Sequence, residues 1–322
     1  MKILHLFSSK VFAGLERHIE ELSFEQSKSH EITVIGPERF KDSFRANYTS
    51  INTNQWRFSP ILWLQLRDAI ARIKPDVVHT HGQKITNIIK SDSHFSTIHG
   101  TKKNIAAFKK TQFIFGASKK SLEQIPPEKS MVLENWVDEA RFSNFKKKTP
   151  EYFLYIGRLE PVKNPERLIR AWKQNYGKLL MVGGGQLEND LKNLIGELRL
   201  TNVIEIHPED NDVGSFLSKA HALIISSDRE GSPKVLYESL YCKVPVLSTD
   251  CGNIAEVLPN ESIAETNDKS FQHLLKKWSG KVNELSSSQE RCFSEVQSKN
   301  LLSIQAKKVN KKYQEFLSMA SR

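Results

Sequence analysis

The stretch SDREGSPKVLYESLYCKVPVLSTD (residues 227–250) carries a turn, a helix pattern and an apolar strand in immediate succession. Within it, Gly231-Ser232-Pro233 indicates a helix start, with Ser232 as the N-cap and Pro233 as the first helical residue. The apolar segment 244–249 is typical of a buried strand. A helix that leads directly into a buried strand is the repeating unit of a parallel α/β sheet.

The same alternation of short apolar runs and amphipathic segments extends through the whole chain. It predicts the α/β class, with two doubly wound parallel sheets joined near the polar, proline-bearing segment 144–151. A helical region from about 268 to 318 ends the chain. The predicted strands are 3–7, 31–36, 76–81, 95–100, 113–118, 131–137, 153–158, 178–185, 203–207, 222–227 and 244–249, and the other predicted helices are 14–29, 60–73, 165–175, 187–199, 213–219 and one after Pro233.

The composition indicates a globular, cytoplasmic protein. The 322 residues are 39% hydrophobic, enough for the cores of two domains of about 150 residues each. No apolar run reaches the ~18 residues that cross a bilayer, and MKILHLF (1–7) indicates a first strand rather than a signal peptide. Three cysteines without metal-ligand spacing favour a reduced compartment.

The net charge of +10 is concentrated in the first half of the chain. Residues 1–150 hold 24 lysines and arginines against 15 acids, whereas residues 151–322 hold 23 against 22. This excess indicates either an anionic partner or a well-solvated surface. Six of the lysines surround Ala106-Ala107-Phe108, namely Lys102, Lys103, Lys109, Lys110, Lys119 and Lys120.

Two cations follow the strand 153–158, and two acids flank the later helix start. Arg158 and Lys163 are expected to converge at the carboxyl edge of the sheet, where they can bind phosphate oxygens or remain solvated. Glu230 and Glu238 are separated by seven residues, and carboxylates bind the vicinal hydroxyls of sugars well. The alternative is that Glu230 only complements the helix dipole and Glu238 is an exposed helical residue.

The order of these motifs resembles that of the family-4 glycosyltransferases of the GT-B fold. GRLEPVKN (157–164) is followed by EGSPKVLYESLYCKVPVLSTDCGNIAEV (230–257), with the spacing between the two glutamates that the family shows. FAGLERHIEEL (12–22) is similar to the family's glycine loop and first helix. VVHTHG (77–82) and STIHG (96–100) are similar to its paired histidine strands, and ENWVD (134–138) to a further segment.

The resemblance implies two Rossmann-like domains that face a central cleft. Residues 1–147 would form the acceptor domain and residues 148–300 the nucleotide-sugar domain, with a C-terminal helix at about 301–322 that crosses back onto the first domain. Ligands of such sheets bind at the carboxyl ends of the strands.

The resemblance also implies roles for individual residues. Arg158 and Lys163 match the cations that neutralise the departing diphosphate, Glu230 the acid that holds the donor sugar, and His99 the histidine near the reacting carbon. Glu238 matches the acid that binds the ribose. The remaining donor-binding positions are Gly14 of the first loop, Gly157, and the backbone of Gly231, Ser232 and Pro233.

Other signals carry less weight. Asp210-Asn211-Asp212 spells the D-x-D pattern of a different glycosyltransferase fold, and a solvated loop is favoured here. Gly183-Gly184-Gly185 is expected to let the chain pack beside the nucleotide, and His79 and His81 to support His99 rather than bind a metal. Lys243 stands where the family usually has a glycine at a helix end. No metal and no other cofactor is expected.

The function implied is that of a retaining, hexosyltransferase-type enzyme (EC 2.4) that uses a nucleotide-sugar, in particular a UDP-sugar. The acceptor would be a saccharide or glycolipid of cell-envelope polysaccharide or lipopolysaccharide biosynthesis. The protein would then be cytoplasmic and peripheral at the inner membrane face, with its lysines on anionic lipid. The alternatives are a GT-B sugar-nucleotide epimerase and a nucleic-acid-binding protein, although no nucleic-acid module is recognisable and no such partner is expected.

Overall fold

The chain forms two compact units in a computed structural model that describes residues 1–100 and 104–320. Unit 1 comprises Met1–Asn135 and the C-terminal segment from Leu302, and unit 2 comprises Trp136–Leu301. The sequence placed the change of domain near 144–151. The units instead change at Asn135/Trp136, because Val137 and Phe142 pack into a core of unit 2.

Unit 1 is built on a seven-stranded sheet in which every pairing is parallel, in the order β3-β2-β1-β4-β5-β6-β7. The central strands are buried on both faces, as expected of a sheet covered by helices. The strands are β1 (Lys2–Phe7), β2 (Glu31–Gly36), β3 (Asn47–Ser50), β4 (Val77–His81), β5 (His94–Ile98), β6 (Phe113–Gly116) and β7 (Ser130–Val132).

Four helices follow strands of this sheet: α1 (Gly14–Ser27), α2 (Pro60–Ile73), α3 (Gln83–Ile88) and α4 (Lys119–Leu122). Helix α2 shows why these segments are helical. The Ser59 hydroxyl accepts a hydrogen bond from the Leu62 amide at 3.4 Å, and Pro60 occupies the first position. Leu62, Leu66 and Ala69 then form its buried stripe at helical spacing.

Unit 2 is built on a six-stranded sheet, also parallel throughout, in the order β10-β9-β8-β11-β12-β13. Two hydrophobic cores lie within this unit. The strands are β8 (Tyr152–Ile156), β9 (Leu179–Val182), β10 (Ile204–His207), β11 (Ala220–Ile225), β12 (Val246–Thr249) and β13 (Ile263–Ala264).

Eight helices complete unit 2. They are α5 (Pro165–Ala171), α6 (Glu188–Glu197), α7 (Val213–Ser218), α8 (Lys234–Tyr241), α9 (Ile254–Val257), α10 (Asp268–Trp278), α11 (Val282–Ser288) and α12 (Glu290–Lys299). The last helix of the chain, α13 (Leu302–Ala320), belongs to unit 1. Its Tyr313 is fully buried against Phe95, with 4.9 Å between the ring centroids.

The parallel α/β architecture predicted from the sequence is confirmed in both units, and several element boundaries were wrong. The edge strands β3 and β13 and the short helices α3, α4 and α9 were not predicted. The segment 131–137 is strand only to Val132, and the helix predicted to residue 175 ends at Ala171.

Two further sequence predictions concern the surface. Lys109, Lys110, Lys119 and Lys120 of the predicted basic cluster are exposed, whereas Lys102 and Lys103 lie outside the described residues. In the part of the chain that the structure describes, no helix combines the length and the apolar character that spanning a membrane requires.

Candidate functional site

Two loops meet at the carboxyl edge of the unit 2 sheet, because β8 and β11 are neighbours in it. The loop after β8 carries Arg158 and Lys163, and the loop after β11 carries Glu230. The two loops are joined through the backbone, since the Asp228 amide donates a hydrogen bond to the Val162 carbonyl at 3.0 Å. Lys163 and Glu230, 67 positions apart in the sequence, are thereby held at one place.

Lys163 and Glu230 form an ion pair, with 2.5 Å between the Lys163 Nζ and Glu230 Oε1 atoms. Their side chains are 21% and 12% exposed, so the pair is largely but not fully withdrawn from water. The Ser227 hydroxyl donates a second hydrogen bond to the same Glu230 oxygen at 2.8 Å. The Ser226 hydroxyl donates to the Lys163 carbonyl at 3.0 Å. The positions of the cation and the acid are therefore fixed by the ends of adjacent strands.

Arg158 makes a separate ion pair with Glu160, with 2.6 Å between Nη1 and Oε1. The Arg158 side chain is 41% exposed and therefore accessible to an anion in solution. Its carbonyl accepts a hydrogen bond from the Tyr155 hydroxyl at 3.1 Å. Burial, and next the negative charge of Glu230, raise the pKa of Tyr155 well above its usual value, so the phenol stays protonated and remains a donor.

A cavity of about 80 Å³ lies beside the ion pair. Tyr155, Lys163, Ser227, Glu230 and Pro233 are among the residues that line it.

Close backbone packing shapes the turns around the pair. Gly183 has φ +151°, and a Cβ added there would lie 2.0 Å from the Gly157 carbonyl oxygen. Gly252 has φ +63°, and a Cβ there would lie 2.5 Å from the Gly231 carbonyl oxygen. A side chain at either position would displace the loop that carries Arg158 or the turn that carries Glu230.

Glu238 lies on α8 and is buried, contrary to the alternative of an exposed helical residue. Its Oε1 atom is 3.0 Å from Arg141 Nη1, and Arg141 also donates a hydrogen bond to the Asn211 carbonyl at 2.9 Å. The sequence did not identify Arg141. It follows no strand and belongs to no motif, and only the path of residues 136–142 across unit 2 brings it to Glu238.

The start of α8 differs from the prediction. The helix begins at Lys234, Pro233 is the N-cap, and no side chain caps the helix. The prediction of Ser232 as N-cap and Pro233 as first helical residue was wrong. The Ser232 hydroxyl instead lies 3.5 Å from the Tyr237 hydroxyl, which also accepts a hydrogen bond from Asn253 at 2.6 Å. The turn 231–233 is therefore held through Tyr237 of α8, which Asn253 contacts in turn.

Arg167, which the sequence did not identify, supports the loop after β11. Its side chain is 7% exposed and forms ion pairs with Asp228 at 2.8 Å and Asp268 at 2.9 Å. It also donates a hydrogen bond to the Ser226 carbonyl at 3.1 Å. Because Ser226 and Asp228 flank Ser227, this buried guanidinium positions the donor of one of the hydrogen bonds to Glu230.

The two remaining predicted site residues, Gly14 and His99, belong to unit 1. Gly14 begins α1, where the Glu16 carboxylate accepts a hydrogen bond from the Ala13 amide at 2.7 Å. A Cβ at Gly14 would meet nothing within 4 Å. His99 is half-buried directly after β5, and its Nε2 atom is 3.1 Å from His81 Nδ1.

His99 is one end of a network of buried imidazoles. His5 Nδ1 is 3.0 Å from His81 Nε2, and His5 Nε2 is 2.8 Å from the Gln26 side-chain oxygen. The His79 nitrogens contact the Tyr313 hydroxyl at 2.5 Å and the Thr97 hydroxyl at 2.7 Å. The sequence identified His79 and His81 but missed His5, whose position opposite His79 follows from the register of β1 on β4.

Burial keeps these imidazoles neutral. It lowers the pKa of His5 to about 4, and it lowers the pKa of His79 and of His81 well below their usual values. In the described residues, two triplets place one nitrogen per ring within 4.8 Å of one another: His5, His79 and His81, and His18, His81 and His99. Since both nitrogens of His5, His79 and His81 contact a polar group, hydrogen bonding accounts for these three rings.

The D-x-D sequence forms a turn and a helix cap. The Asp210 carboxylate accepts a hydrogen bond from the Asp212 amide at 2.9 Å, and the Asp212 carboxylate accepts one from the Ser215 amide at 3.1 Å. Asp212 is thereby the N-cap of α7. Both acids have structural roles here, as in the solvated loop predicted for them.

Comparison with known families identifies both halves of the chain. The model of the glycosyl transferases group 1 matches residues 137–290, and that of Glycosyltransferase Family 4 matches residues 12–109. Together the two matches span most of the chain.

Curated proteins give the same assignment. An N-acetylgalactosaminyltransferase of Campylobacter jejuni that acts on a diphospho-undecaprenol-linked saccharide is 32% identical over 44% of this chain and 42% of its own length. A second N-acetylgalactosaminyltransferase of the same organism, also named for an undecaprenol-linked saccharide, is 26% identical over 80% of this chain and 82% of its own length. The chain spans less than half the length of the first curated relatives it matches.

Solved structures show the same fold. A glycosyltransferase from Rickettsia africae matches with a TM-score of 0.82 at 21% identity over 98% of both chains. HepE of Anabaena, solved in complex with UDP, matches with a TM-score of 0.83 at 13% identity over 98% of this chain and all of its own. At these identities the likeness shows the fold, which is that of the GT-B glycosyltransferases.

Proposed function

We propose that the chain transfers a hexose from a nucleotide-sugar to a hydroxyl of a saccharide or glycolipid acceptor, since its two halves match the models of the glycosyl transferases group 1 and of Glycosyltransferase Family 4. The observation that carries this proposal is the Lys163–Glu230 ion pair at the carboxyl edge of the unit 2 sheet. It joins a cation suited to a phosphate and a carboxylate suited to sugar hydroxyls within one contact.

The proposed chemistry places the donor diphosphate against Lys163 and the exposed Arg158. When the bond from the sugar to the diphosphate breaks, negative charge grows on the departing phosphate oxygens. Cations that are already fixed in place stabilise that charge without reorganisation. The backbone carbonyls of Lys163 and Arg158 are held by Ser226 and Tyr155, so both loops are ordered before a donor arrives.

Glu230 and Glu238 are proposed to hold the two ends of the donor that carry hydroxyl groups. Glu230 would accept hydrogen bonds from the sugar, in exchange for part of its contact with Lys163. Glu238 would accept those of the ribose, with Arg141 holding the carboxylate in position from one oxygen. We assign Gly231, Ser232, Pro233 and Gly157 to the donor side as backbone contacts, and Gly14 and His99 to the reacting centre and acceptor. These assignments rest on their matches to the family motifs.

The donor nucleotide proposed is UDP, and the pathway proposed is the assembly of cell-envelope polysaccharide or lipopolysaccharide. Structures of HepE with UDP and with UDP-glucose support the nucleotide. An O-antigen chain mannosyltransferase of Salmonella typhimurium, 28% identical over 47% of this chain, supports the pathway together with the undecaprenol-linked relatives. We also propose retention of anomeric configuration, action without a metal, and work at the cytoplasmic membrane face with Lys109, Lys110, Lys119 and Lys120 towards anionic lipid.

A panel of nucleotides and nucleotide-sugars tests the function. Thermal unfolding of the full chain is recorded with UDP, GDP, CMP and their common sugar conjugates, in the presence of EDTA. A ligand at 100 times its Kd stabilises the fold by about 2.7 kcal/mol, which raises the Tm by several degrees. UDP and one UDP-sugar should do so, and that UDP-sugar should then label a saccharide acceptor.

Two outcomes would contradict the proposal. The transferase assignment fails when no nucleotide shifts the Tm. The epimerase alternative gains when the bound UDP-sugar is converted to an isomer or a free sugar at the same rate with and without acceptor.

A further inference from the structure

Large apolar side chains are exposed at one place in unit 1. Among the described residues, five of the eight exposed large hydrophobic side chains fall between residues 56 and 64. We call these five residues the apolar patch: Trp56 (71% exposed), Phe58, Ile61 (62%), Trp63 and Leu64. Single exposed apolar residues are ordinary, whereas such a concentration marks an interaction surface.

The patch is ordered by contacts of its own. The Trp56 and Phe58 rings pack edge to face with 5.0 Å between their centroids, and the Trp63 indole donates a hydrogen bond to the Arg57 carbonyl at 2.9 Å. Ile61 and Leu64 project from the first turns of α2, whose opposite side packs into the core. The patch is therefore presented in the folded state rather than exposed by local unfolding.

The apolar exposure ends after this first part of α2. After Leu64, the exposed residues of α2 are Gln65, Arg67, Asp68, Ala71 and Arg72, of which Ala71 is the one apolar residue. A partner that covered the whole helix would need apolar residues along its length. The patch instead suits a partner into which the N-terminal end of α2 and the preceding loop insert.

Positive charge borders the patch. Residues 43–67 contain no acidic residue, and the Arg57 guanidinium lies 4.6 Å from the centre of the Phe58 ring. Asn54, just before the patch, donates a hydrogen bond to the Ser9 carbonyl, which also accepts one from Arg39. These bonds hold the loop 8–11 next to Asn54, and this loop carries the exposed residues Lys10 and Val11.

We propose that the apolar patch inserts into the interfacial region of a lipid bilayer that contains anionic lipid. Tryptophan and phenylalanine partition into the boundary between headgroups and acyl chains, and arginines beside them meet the phosphates. A second copy of the chain fits less well. A symmetric contact would bring the cations at the rim of the patch together, and Asp68, the exposed acid further along α2, already pairs with Arg67. The inference rests on the membrane part of the proposed function, and because vesicle binding requires no sugar transfer, its failure is distinguishable from failure of the proposed transfer.

Tryptophan fluorescence of the full chain tests the inference directly. Of the five tryptophans, Trp136, Trp172 and Trp278 are buried, whereas Trp56 and Trp63 are exposed. Iodide quenching and quenching by brominated acyl chains therefore report mainly on the patch. Vesicles of phosphatidylcholine with phosphatidylglycerol should protect the emission from iodide and expose it to the brominated lipid.

Flotation of variants separates the patch from other surfaces. The double variant W56S/F58S should bind these vesicles at least about tenfold more weakly, since two large apolar side chains are lost from the lipid. L198S, which changes an exposed apolar residue of unit 2, is the matched control and should bind as the wild type does. Charge reversal of Lys109, Lys110, Lys119 and Lys120 should reduce binding less than W56S/F58S does.

Each of four results would overturn the inference. W56S/F58S with an unchanged Tm could float with the vesicles as well as the wild type. The lysine variant alone could abolish binding. Iodide protection could instead appear without vesicles as the protein concentration rises, which would identify a second copy as the occupant. Finally, wild-type emission that the brominated lipid does not quench would overturn the inference without any variant.

Discussion

The two units share one architecture, but neighbouring strands bring neutral imidazoles together in unit 1 and an ion pair together in unit 2. In unit 1, β1, β4 and β5 bring together imidazoles that are almost all buried and neutral. In unit 2, β8 and β11 bring together a lysine and a glutamate that remain partly exposed and paired. A neutral buried network has to be protected from protons, whereas a partly exposed ion pair can exchange its partner for a ligand. The difference supports the proposal that unit 2 holds the anionic donor.

The largest expected effect is that acid lowers the stability of unit 1 more than that of unit 2. Below pH 6.5 the unfolded chain binds protons that His5 and His94, each with a folded pKa of about 4, do not bind in the folded state. The free energy of unfolding of unit 1 therefore falls as the pH falls from 6.5 to about 4. The loss is about 3 kcal/mol for each of these two histidines over the whole interval.

Urea unfolding of the full chain at pH 7.5 and pH 5 measures this effect. Pulse labelling of amides at one fixed pH, followed by peptide mapping, reads the two units separately. Peptides of unit 1 should unfold at clearly lower urea at pH 5, and those of unit 2 should shift less. Equal shifts in both units, or none in unit 1, would contradict the account of the histidine network.

The second expectation concerns the cation in unit 2. K163A should lower the transfer rate about 100- to 1000-fold, the usual loss when one preorganised charge-stabilising group is removed. Its Tm should fall moderately, because the largely buried Glu230 loses its cation but keeps the hydrogen bond from Ser227. R170A on the following helix α5, which removes an exposed pair with Glu166, is the control and should keep its activity. Turnover of K163A close to that of the wild type would refute the assignment.

The third expectation concerns the link between α13 and the histidine network. Y313F removes the hydroxyl that contacts His79 Nδ1. The buried nitrogen loses this hydrogen bond, which should lower the free energy of unfolding by about 1–3 kcal/mol. Y152F in unit 2 removes a hydroxyl that donates to the Phe216 carbonyl from a half-buried position, where water can replace it. Denaturant titration should show a larger loss for Y313F than for Y152F. The reverse order would show that the network does not hold α13.

The smallest expected effect is common to both units. Lys74 and Lys243 end helices at φ 48° and 53°, a left-handed conformation that costs a non-glycine residue about 1–2 kcal/mol. Glycine removes that cost but adds entropy to the unfolded chain, so K74G and K243G should each gain less than about 1 kcal/mol. K28G, at a right-handed helix end, should lose stability. Destabilisation by both of the first two substitutions would contradict this.

The sequence was informative where one short segment determines the local structure. The strand patterns predicted both parallel sheets, and the motif order indicated that Lys163 and Glu230 belong to one site. Lys243 was identified as standing in a glycine position, and its positive φ agrees. Each of these features depends on residues that are close in sequence or on a motif whose spacing is distinctive.

Features that depend on the tertiary path were missed. The edge strands β3 and β13 have only four and two residues and give no clear alternation. Arg141 meets Glu238 across 97 positions, and no local pattern marks it as a partner. The start of α8 was placed too early because Ser232 and Pro233 are favourable capping residues, yet the turn is held by Tyr237 and Asn253 instead.

Titration calorimetry with UDP tests the central claim most directly, since it separates the two members of the ion pair. Lys163 is assigned to the diphosphate and Glu230 to the sugar. K163A should therefore weaken UDP binding at least about tenfold, as loss of a charged hydrogen bond does. E230Q should leave UDP binding unchanged or tighter, because it frees Lys163, and should weaken only the UDP-sugar. UDP binding that is weakened equally by both variants, or by neither, would contradict the assignment of the unit 2 pair as the donor site.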